Sequence, residues 1–258
     1  MILAGVHGNE KCGEKVLKKI SPLLKIESGR VLLGYGNPRA LKANVRFTQA
    51  NLNRMFKSDD LLLESDKMSY EYKRAQFLKK YLNQAEALLD IHASFTPNSK
   101  AFVICEKNAN ETIIYLPVDL VVSGFDNVEP GGTDYYMNNM GKIGICVECG
   151  YLEDPESARI AEESIYAFLK ARGHLKNRMN PRKQSRIQVS SLYLTKTNNF
   201  ILSKAFDDFE EIVKGQAIGT DGGEEIQAKS PGVILFARNR NKVGEEAFLL
   251  GEKKNSLV

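Results

Sequence analysis

The sequence contains no apolar run that approaches the ~20 residues that a helix needs to cross a bilayer. Proline and glycine are scarce, with 8 and 20 residues in a chain of 258, which excludes collagen-like and low-complexity proteins. The first residues, Met1 to Gly5, carry neither the basic segment nor the cleavage site that is typical of a secretory signal. These absences predict a globular protein in the cytoplasm, without a membrane partner.

A large charge of either sign is also missing. The chain has 36 Lys and Arg residues against 32 Asp and Glu residues, so its net charge is only +4. This basic excess is too small and too dispersed for a nucleic-acid footprint, although it suits an anionic substrate. We therefore expect a small anionic molecule rather than a nucleic acid as the partner.

Cysteine is rare as well, and the four residues are Cys12, Cys105, Cys146 and Cys149. Their irregular spacing predicts free thiols and not a disulfide framework. Cys146 and Cys149 form one CxxC pair, but no second pair and no histidine lies near them in the sequence. Small buried strand residues are therefore the favoured interpretation over a zinc ribbon.

Short apolar runs alternate with amphipathic stretches in the first half of the chain, which predicts an α/β sheet with helices on its faces. The predicted strands cover 2–6, 31–36, 88–93, 101–105, 116–123 and 143–149. A long helix is predicted along Phe77 to Leu89, and another from Asp154 to Gly173. From about Asn177 residues alternate as in Ile187-Gln188-Val189, so we expect two domains, 1–176 and a smaller β-rich 177–258.

The chain has only three histidines, and two of them follow predicted strands. His7 precedes Glu10 by three residues at a predicted turn from strand to helix, which can bring both side chains to one point. His92 ends a second strand, and ligand sites in α/β sheets collect at the carboxyl ends of strands. Two histidines and a glutamate form a ligand set that a catalytic zinc uses. This pattern predicts a metal site at His7, Glu10 and His92, with Asp90 beside the other ring nitrogen of His92.

An HxxE pair alone is weak evidence, because a histidine at a strand end is more often an ordinary hydrogen-bonded residue. Other motifs in the same chain favour a metal site over an ordinary histidine. In chain order they are Gly5-Val6-His7-Gly8-Asn9-Glu10, Gly36-Asn37-Pro38-Arg39-Ala40, Asn51-Leu52-Asn53-Arg54-Met55-Phe56, Asp90-Ile91-His92 and Val147-Glu148-Cys149-Gly150. Together they resemble the succinylglutamate desuccinylase and aspartoacylase family of zinc deacylases, within the zinc carboxypeptidase superfamily.

The resemblance implies a zinc-carboxypeptidase-like mixed sheet flanked by helices, with a smaller C-terminal β-rich domain. It also implies that His7, Glu10 and His92 hold one Zn²⁺ per chain. Glu148 would be the general base, because it follows an apolar strand where a carboxylate's pKa rises toward neutral pH.

The remaining roles implied by the resemblance concern the substrate. Arg46 would help the metal to polarise the scissile carbonyl, and a solvated helix-face arginine is the alternative interpretation. Asn53 and Arg54 would hold the α-carboxylate, a task that suits a planar guanidinium. The implied reaction is hydrolysis of a small anionic N-acyl amino acid, similar to succinylglutamate or acetylaspartate, to a carboxylate and a free amino acid.

The chain departs from the family pattern at two places. Asn51 stands where the family usually has aspartate, and the lost charge is expected to loosen the orientation of Arg54. Aspartoacylases carry a further arginine about ten residues before the catalytic glutamate to grip the side-chain carboxylate. No arginine lies between Arg74 and Arg159 here. We therefore expect no strict specificity for N-acetylaspartate.

Two other hypotheses remain open from the sequence. A zinc carboxypeptidase that acts on short peptides or cell-wall fragments would use the same metal, but it needs an open groove. A non-catalytic binding protein could retain the fold, although the complete set of ligands and base argues against it. The sequence leaves a homo-oligomer open.

Overall fold

The computed structural model describes residues 1–176 and 179–254. Its strands are β1 (Ile2–Ala4), β2 (Leu33–Tyr35), β3 (Ala87–Ser94), β4 (Phe102–Cys105), β5 (Leu120–Ser123), β6 (Ile143–Tyr151), β7 (Ser185–Leu194), β8 (Phe200–Leu202), β9 (Glu210–Ile212), β10 (Ala217–Asp221), β11 (Glu224–Gln227), β12 (Gly232–Leu235) and β13 (Glu246–Lys254). Ten strands form one mixed sheet in the order β2-β1-β3-β6-β4-β5-β7-β13-β12-β9. Strands β11, β10 and β8 form a small second sheet.

Helices cover both faces of the first half of this sheet. They are α1 (Lys11–Ile20), α2 (Pro38–Ala43), α3 (Glu64–Lys67), α4 (Tyr70–Leu82), α5 (Asn110–Ile113), α6 (Phe125–Val128), α7 (Thr133–Asn139) and α8 (Glu156–Ala171). Short 3-10 turns lie at Leu52–Arg54, Asp59–Leu61 and Lys107–Ala109. One apolar core packs α1 and α8 on the sheet, and a second packs α4 and α7 on the opposite face.

The central strands are buried on both faces. All eight residues of β3 are buried, and β3 pairs in parallel with β1 on one side and β6 on the other. Strands in such a position consist of nearly continuous apolar residues, because neither face meets water. The parallel arrangement brings the carboxyl ends of β1, β3 and β6 to one edge of the sheet.

The predicted helix from Phe77 to Leu89 is wrong at both ends. Helix α4 spans Tyr70–Leu82, whereas Leu88 and Leu89 belong to β3. Their side chains point to opposite faces of a sheet that is covered on both sides, so consecutive leucines there fit a strand as well as a helix. The predicted strand 116–123 is likewise shorter, at Leu120–Ser123.

The main sheet continues into the C-terminal part of the chain. Strand β7 pairs in parallel with β5 from Leu120 opposite Ser185 to Ser123 opposite Gln188. The predicted domain boundary begins at residue 177, which lies outside the described residues, and the division into two domains stays a prediction.

All four cysteines are free and buried, which confirms the predicted thiols. Cys146 and Cys149 both lie in β6, as strand residues should. No helix within residues 1–176 and 179–254 is long and apolar enough to span a membrane.

Candidate metal centre

Three neighbouring strands deliver the predicted ligands and base to one edge of the sheet. Register places Ala4 of β1 opposite Ile91 of β3, and His92 directly opposite Glu148 of β6. His7 follows β1 after Gly5, whose φ of +69° turns the chain toward this edge. A residue with a side chain rarely adopts that backbone conformation, so glycine suits the turn.

A close backbone contact fixes the loop that carries Arg46. A Cβ atom on Gly8 would overlap the backbone carbonyl carbon of Ala40 in α2. Without that atom, the N–H of Gly8 donates a hydrogen bond of 3.2 Å to the carbonyl oxygen of Arg46. The turn from His7 to Glu10 therefore lies directly against the Arg46 loop.

The structure brings His7, Glu10 and His92 together. Oε1 of Glu10 lies 2.7 Å from Nδ1 of His7, and Oε2 lies 2.9 Å from Nδ1 of His92. The three side chains are at most 4% exposed. Their possible ligand atoms all lie within 4.8 Å of one another. One carboxylate thus lies between two imidazoles in a buried cluster.

The hydrogen bonds around this cluster fit a bound cation. Nε2 of His7 donates to Oδ1 of Asn51 at 3.1 Å, so its Nδ1 keeps a lone pair for a ligand. Nδ1 is buried and receives no hydrogen-bond donor among the described residues, because its close neighbour, the Glu10 carboxylate, can only accept. Oδ2 of Asp90 lies 3.2 Å from Nε2 of His92, as expected from the sequence, and accepts a bond of 2.5 Å from Thr133. Two imidazoles and a carboxylate are a donor set that zinc accepts.

Burial and charge prepare His7 and Glu10 as ligands. Burial and the nearby Arg46 lower the pKa of His7 to about 4, so its imidazole is neutral at neutral pH. Burial alone would raise the pKa of Glu10, but His7 and His92 hold it well below its ordinary value. Neutral imidazole and ionised carboxylate are the forms that bind metals. Burial alone would lower the pKa of His92, but Cys146, Asp90 and Glu10 raise it well above its ordinary value, so a cation bound there would have to displace a proton.

Glu148 lies beside this cluster. Its Oε2 atom is buried and has no hydrogen-bond partner in the described part of the chain. Burial, reinforced by the charge of Glu10, raises the pKa of Glu148 to about 8. Cys146 was not expected here, yet its thiol forms a second close group with His92 and Glu148. A carboxyl group with such a pKa can take up and release a proton near neutral pH.

Both predicted arginines lie at the site, in different surroundings. Nη1 of Arg46 donates to Oε1 of Glu10 at 3.0 Å. Arg54 is only 17% exposed, donates from Nε to Oε1 of Glu246 at 2.9 Å, and contacts Glu129 through Nη2. Its Nη1 donates to the carbonyl oxygen of Asn53 at 2.8 Å. The guanidinium of Arg54 is therefore already paired with two carboxylates.

Asn51 acts on the metal cluster and not on the guanidinium of Arg54. Its Oδ1 accepts from His7 and also from the backbone N–H of Asn53 at 3.0 Å, which caps the 3-10 turn. We expected the charge lost at Asn51 to loosen Arg54. The contacts of Asn51 instead connect this position to the proposed metal ligand His7.

A cavity of about 70 Å³ joins these groups. Its walls include all the predicted site residues except His92, whose Nδ1 contacts Oε2 of Glu10 at 2.9 Å. The C-terminal part supplies Phe236, Arg238 and Glu246 to the same cavity. Sequence reasoning missed these residues, as well as Glu129 and Asp134, because they lie far from the motifs along the chain.

The chain is similar in sequence to a known protein family and to individual proteins. The family model described as the succinylglutamate desuccinylase/aspartoacylase catalytic domain matches residues 1–172. Succinylglutamate desuccinylase of Pseudoalteromonas atlantica is 22% identical, over 96% of this chain and 79% of the relative. An N-acyl-aromatic-L-amino acid amidohydrolase (carboxylate-forming) B of Danio rerio is 26% identical, over 66% of this chain and 58% of that protein.

Solved structures share the fold. Succinylglutamate desuccinylase from Vibrio cholerae has a TM-score of 0.81 at 22% identity and covers 100% of this chain and 82% of its own. The product-bound ectoine utilization protein EutE from Ruegeria pomeroyi has a TM-score of 0.72 at 17% identity, over 97% and 84% of the two chains. These similarities confirm the predicted fold class, a large mixed sheet flanked by helices with a smaller β-rich C-terminal part.

Proposed function

This chain belongs to the succinylglutamate desuccinylase/aspartoacylase family, and on that premise we propose that it is a zinc-dependent deacylase. Its substrate is a small N-acyl amino acid that is anionic at its α-carboxylate, and its products are a carboxylate and a free amino acid. The single observation that carries this proposal is the buried cluster of His7, Glu10 and His92 beside the unpartnered oxygen of Glu148.

Each residue has a task in amide hydrolysis. When bound at His7, Glu10 and His92, zinc supplies the Lewis acidity that makes water nucleophilic near neutral pH. Glu148 accepts the proton of the attacking water and then donates it to the departing amine. Arg46 stabilises negative charge that develops on the carbonyl oxygen, since its guanidinium lines the cavity beside the ligand Glu10 and the base Glu148.

Asn53 and Arg54 bind the α-carboxylate in this proposal. Glu129 and Glu246 contact Arg54 in the structure, so the substrate has to replace one of them. Burial raises the pKa of Glu129 to about 8, whereas Arg54 overcomes the effect of burial and lowers that of Glu246 to about 2. Glu129 therefore holds its negative charge less firmly than Glu246 and is the easier of the two to displace from the guanidinium.

The cavity supports a small substrate over the carboxypeptidase alternative. Phe236, Arg238 and Glu246 line it, and its volume of about 70 Å³ is small for a peptide. A peptide needs a longer, open groove. Cytoplasmic location and the lack of nucleic-acid and membrane partners stay predictions alongside this proposal.

The test combines metal analysis with a substrate panel. We expect close to one zinc per chain and hydrolysis of N-acetyl or N-succinyl amino acids by the zinc-loaded protein. Short peptides serve as the comparison set. Faster cleavage of peptides than of every N-acyl amino acid would favour the carboxypeptidase, and zinc-loaded protein that cleaves neither set would indicate a binding protein.

A further inference from the structure

A buried carboxylate on α4 binds the loop that carries Arg46. Glu71, in the first turn of α4, is 0% exposed. Its Oε1 accepts a hydrogen bond from the backbone N–H of Thr48 at 2.8 Å and another from the Thr48 hydroxyl at 2.6 Å. Its Oε2 accepts from the N–H groups of Gln49 and Ala50, both at 3.2 Å. Three successive backbone donors therefore converge on one side chain.

This arrangement requires the ionised form of Glu71. Successive N–H groups that point to one place form a site for an anion, and a charged acceptor strengthens each bond. The amide of Asn37 adds a bond of 3.1 Å to Oε1. Burial alone would raise the pKa of Glu71, but the bonds from Thr48 and Asn37 lower it below its ordinary value. Glu71 is therefore a carboxylate at neutral pH.

The bound segment lacks the hydrogen-bond ladder of a regular element. Residues 44–51, all of them described, lie between α2 and the 3-10 turn at Leu52 and form neither helix nor strand. The side chains at 47–49 are exposed, so packing around them is sparse. Backbone donors without a ladder need other acceptors, and Glu71 supplies the acceptors for three of them. The position of this segment therefore depends on Glu71.

Both ends of segment 44–51 carry groups of the proposed metal site. Arg46 lies two residues before Thr48, and its Nη1 donates to Oε1 of Glu10 at 3.0 Å. Asn51 comes directly after the last bound N–H group, and its Oδ1 accepts from Nε2 of His7 at 3.1 Å. A shift of the bound N–H groups would move both side chains relative to the metal ligands.

We propose that Glu71 is a positioning residue of the proposed deacylase. Its carboxylate holds segment 44–51 so that Arg46 faces the scissile carbonyl and Asn51 orients His7. Glu71 itself contacts neither substrate nor metal, and it acts through these two side chains. Its effect on the rate rests on the proposed function, whereas its effect on zinc affinity needs only the metal site.

Glu71→Gln tests this role with little change in side-chain volume. The glutamine oxygen can keep the bonds from Thr48 and Asn37, but its NH₂ group then faces the N–H groups of Gln49 and Ala50, which lose their acceptor. In chelator-treated protein, we expect these two backbone amides to exchange hydrogen about tenfold faster than in the wild type. Hydrogen exchange measured by NMR gives this value without metal or substrate.

Zinc affinity and kinetics then measure the consequence at the site. In a competition titration with a chromophoric chelator, we expect zinc affinity to fall about threefold to tenfold, since Glu71 acts on His7 through Asn51. With an N-acetyl amino acid and zinc-loaded protein, kcat should fall about tenfold or more while KM changes less than about threefold. Arg46 acts on charge that develops in the transition state, so its displacement affects kcat.

Lys80→Gly is the matched control for a general loss of helix stability. Lys80 is exposed in the last turn of α4, and glycine there weakens the same helix without removing a contact of segment 44–51. This variant should have a lower Tm but a zinc affinity and a kcat within about twofold of the wild type. Equal losses of zinc affinity and kcat in Lys80→Gly and Glu71→Gln would overturn the proposal.

Wild-type zinc affinity and kcat in a folded Glu71→Gln protein would also overturn it, because the carboxylate would then serve stability alone. If that variant does not fold, Thr48→Val removes only the hydroxyl bond to Oε1 and should lower kcat about threefold. An unchanged kcat in Thr48→Val would count against the proposal. If the wild type hydrolyses no N-acyl amino acid, the proposed function fails, and zinc affinity and hydrogen exchange still decide the role of Glu71.

Discussion

At the scale of single residues, Glu148 combines burial with an unpartnered oxygen, and removing its charge should separate binding from chemistry. We expect Glu148→Gln to retain zinc, because Glu148 is not one of the three proposed ligands. Its kcat should fall by about 10² or more, since loss of a general base typically costs 10²- to 10⁴-fold. Zinc content by elemental analysis and steady-state kinetics measure the two effects. Full activity in this variant would reject Glu148 as the base.

Asn51 orients a metal ligand, and its hydrogen bond can be removed with little change in volume. Asn51→Leu leaves Nε2 of His7 without its acceptor, so we expect zinc affinity to fall about 10- to 100-fold. A competition titration with a chromophoric chelator measures the change. Asn51→Asp is the matched control, because it keeps an acceptor oxygen and should bind zinc at least as tightly as the wild type. Equal affinities of all three proteins would exclude a role for this contact.

Predicted strand ends place His7, Glu10 and His92 at one edge of the sheet, because they follow or end strands of a parallel set. Glu148, Arg46, Asn53 and Arg54 were predicted only through the resemblance of the motifs to a known family. The carboxylates that bind Arg54 lie 75 and 192 residues away along the chain. Contacts across such separations leave no periodic signal in the sequence.

At the scale of elements, the approach of the His7 turn to α2 depends on the missing side chain of Gly8. Gly8→Ala places a methyl group against the backbone of Ala40, which cannot move without moving α2. Overpacking of this kind typically costs about 1–3 kcal/mol. We therefore expect the free energy of unfolding, measured by denaturant titration, to fall by about that amount. Gly141→Ala is the comparison, because nothing lies within 4 Å of its Cβ position, although its φ of +70° adds some strain. Equal losses in both variants would contradict the close-contact explanation.

Element boundaries were harder to predict than element order. The alternation of strands and helices in the first half was predicted correctly, but Leu88 and Leu89 were placed in a helix as well as in a strand. Apolar periodicity cannot separate a strand that is buried on both faces from a helix. The bounds of the three-residue strands β1 and β2 are set by pairing with neighbouring strands. The local sequence carries no information about that pairing.

At the scale of the whole molecule, the buried acids make the stability of the metal-free protein depend on pH. Glu148 and Glu129 have folded pKa values of about 8, above the value of an unfolded glutamate. The folded state therefore binds more protons, and its stability falls as pH rises toward the folded pKa. Between about pH 6.5 and about pH 8.5, we expect the Tm of the chelator-treated protein to decrease.

The matched variant for this prediction is Glu148→Gln, which has no proton to lose. Its Tm should decrease less steeply than that of the wild type over the same pH range. Thermal unfolding followed by circular dichroism gives both curves. Parallel curves would show that Glu148 does not titrate in this range.

The pairing of β5 with β7 joins the C-terminal residues that line the cavity to the same sheet as the strands that carry the proposed ligands. Arg238 and Glu246 both border the cavity. Arg238 follows β12 and Glu246 begins β13, and these two strands belong to the same ten-stranded sheet as β3 and β6. Replacing the C-terminal segment by that of a relative, in order to change substrate selectivity, would therefore require a β7 that still pairs with β5. Selectivity in this architecture is better engineered by single side chains than by transplanting a whole segment.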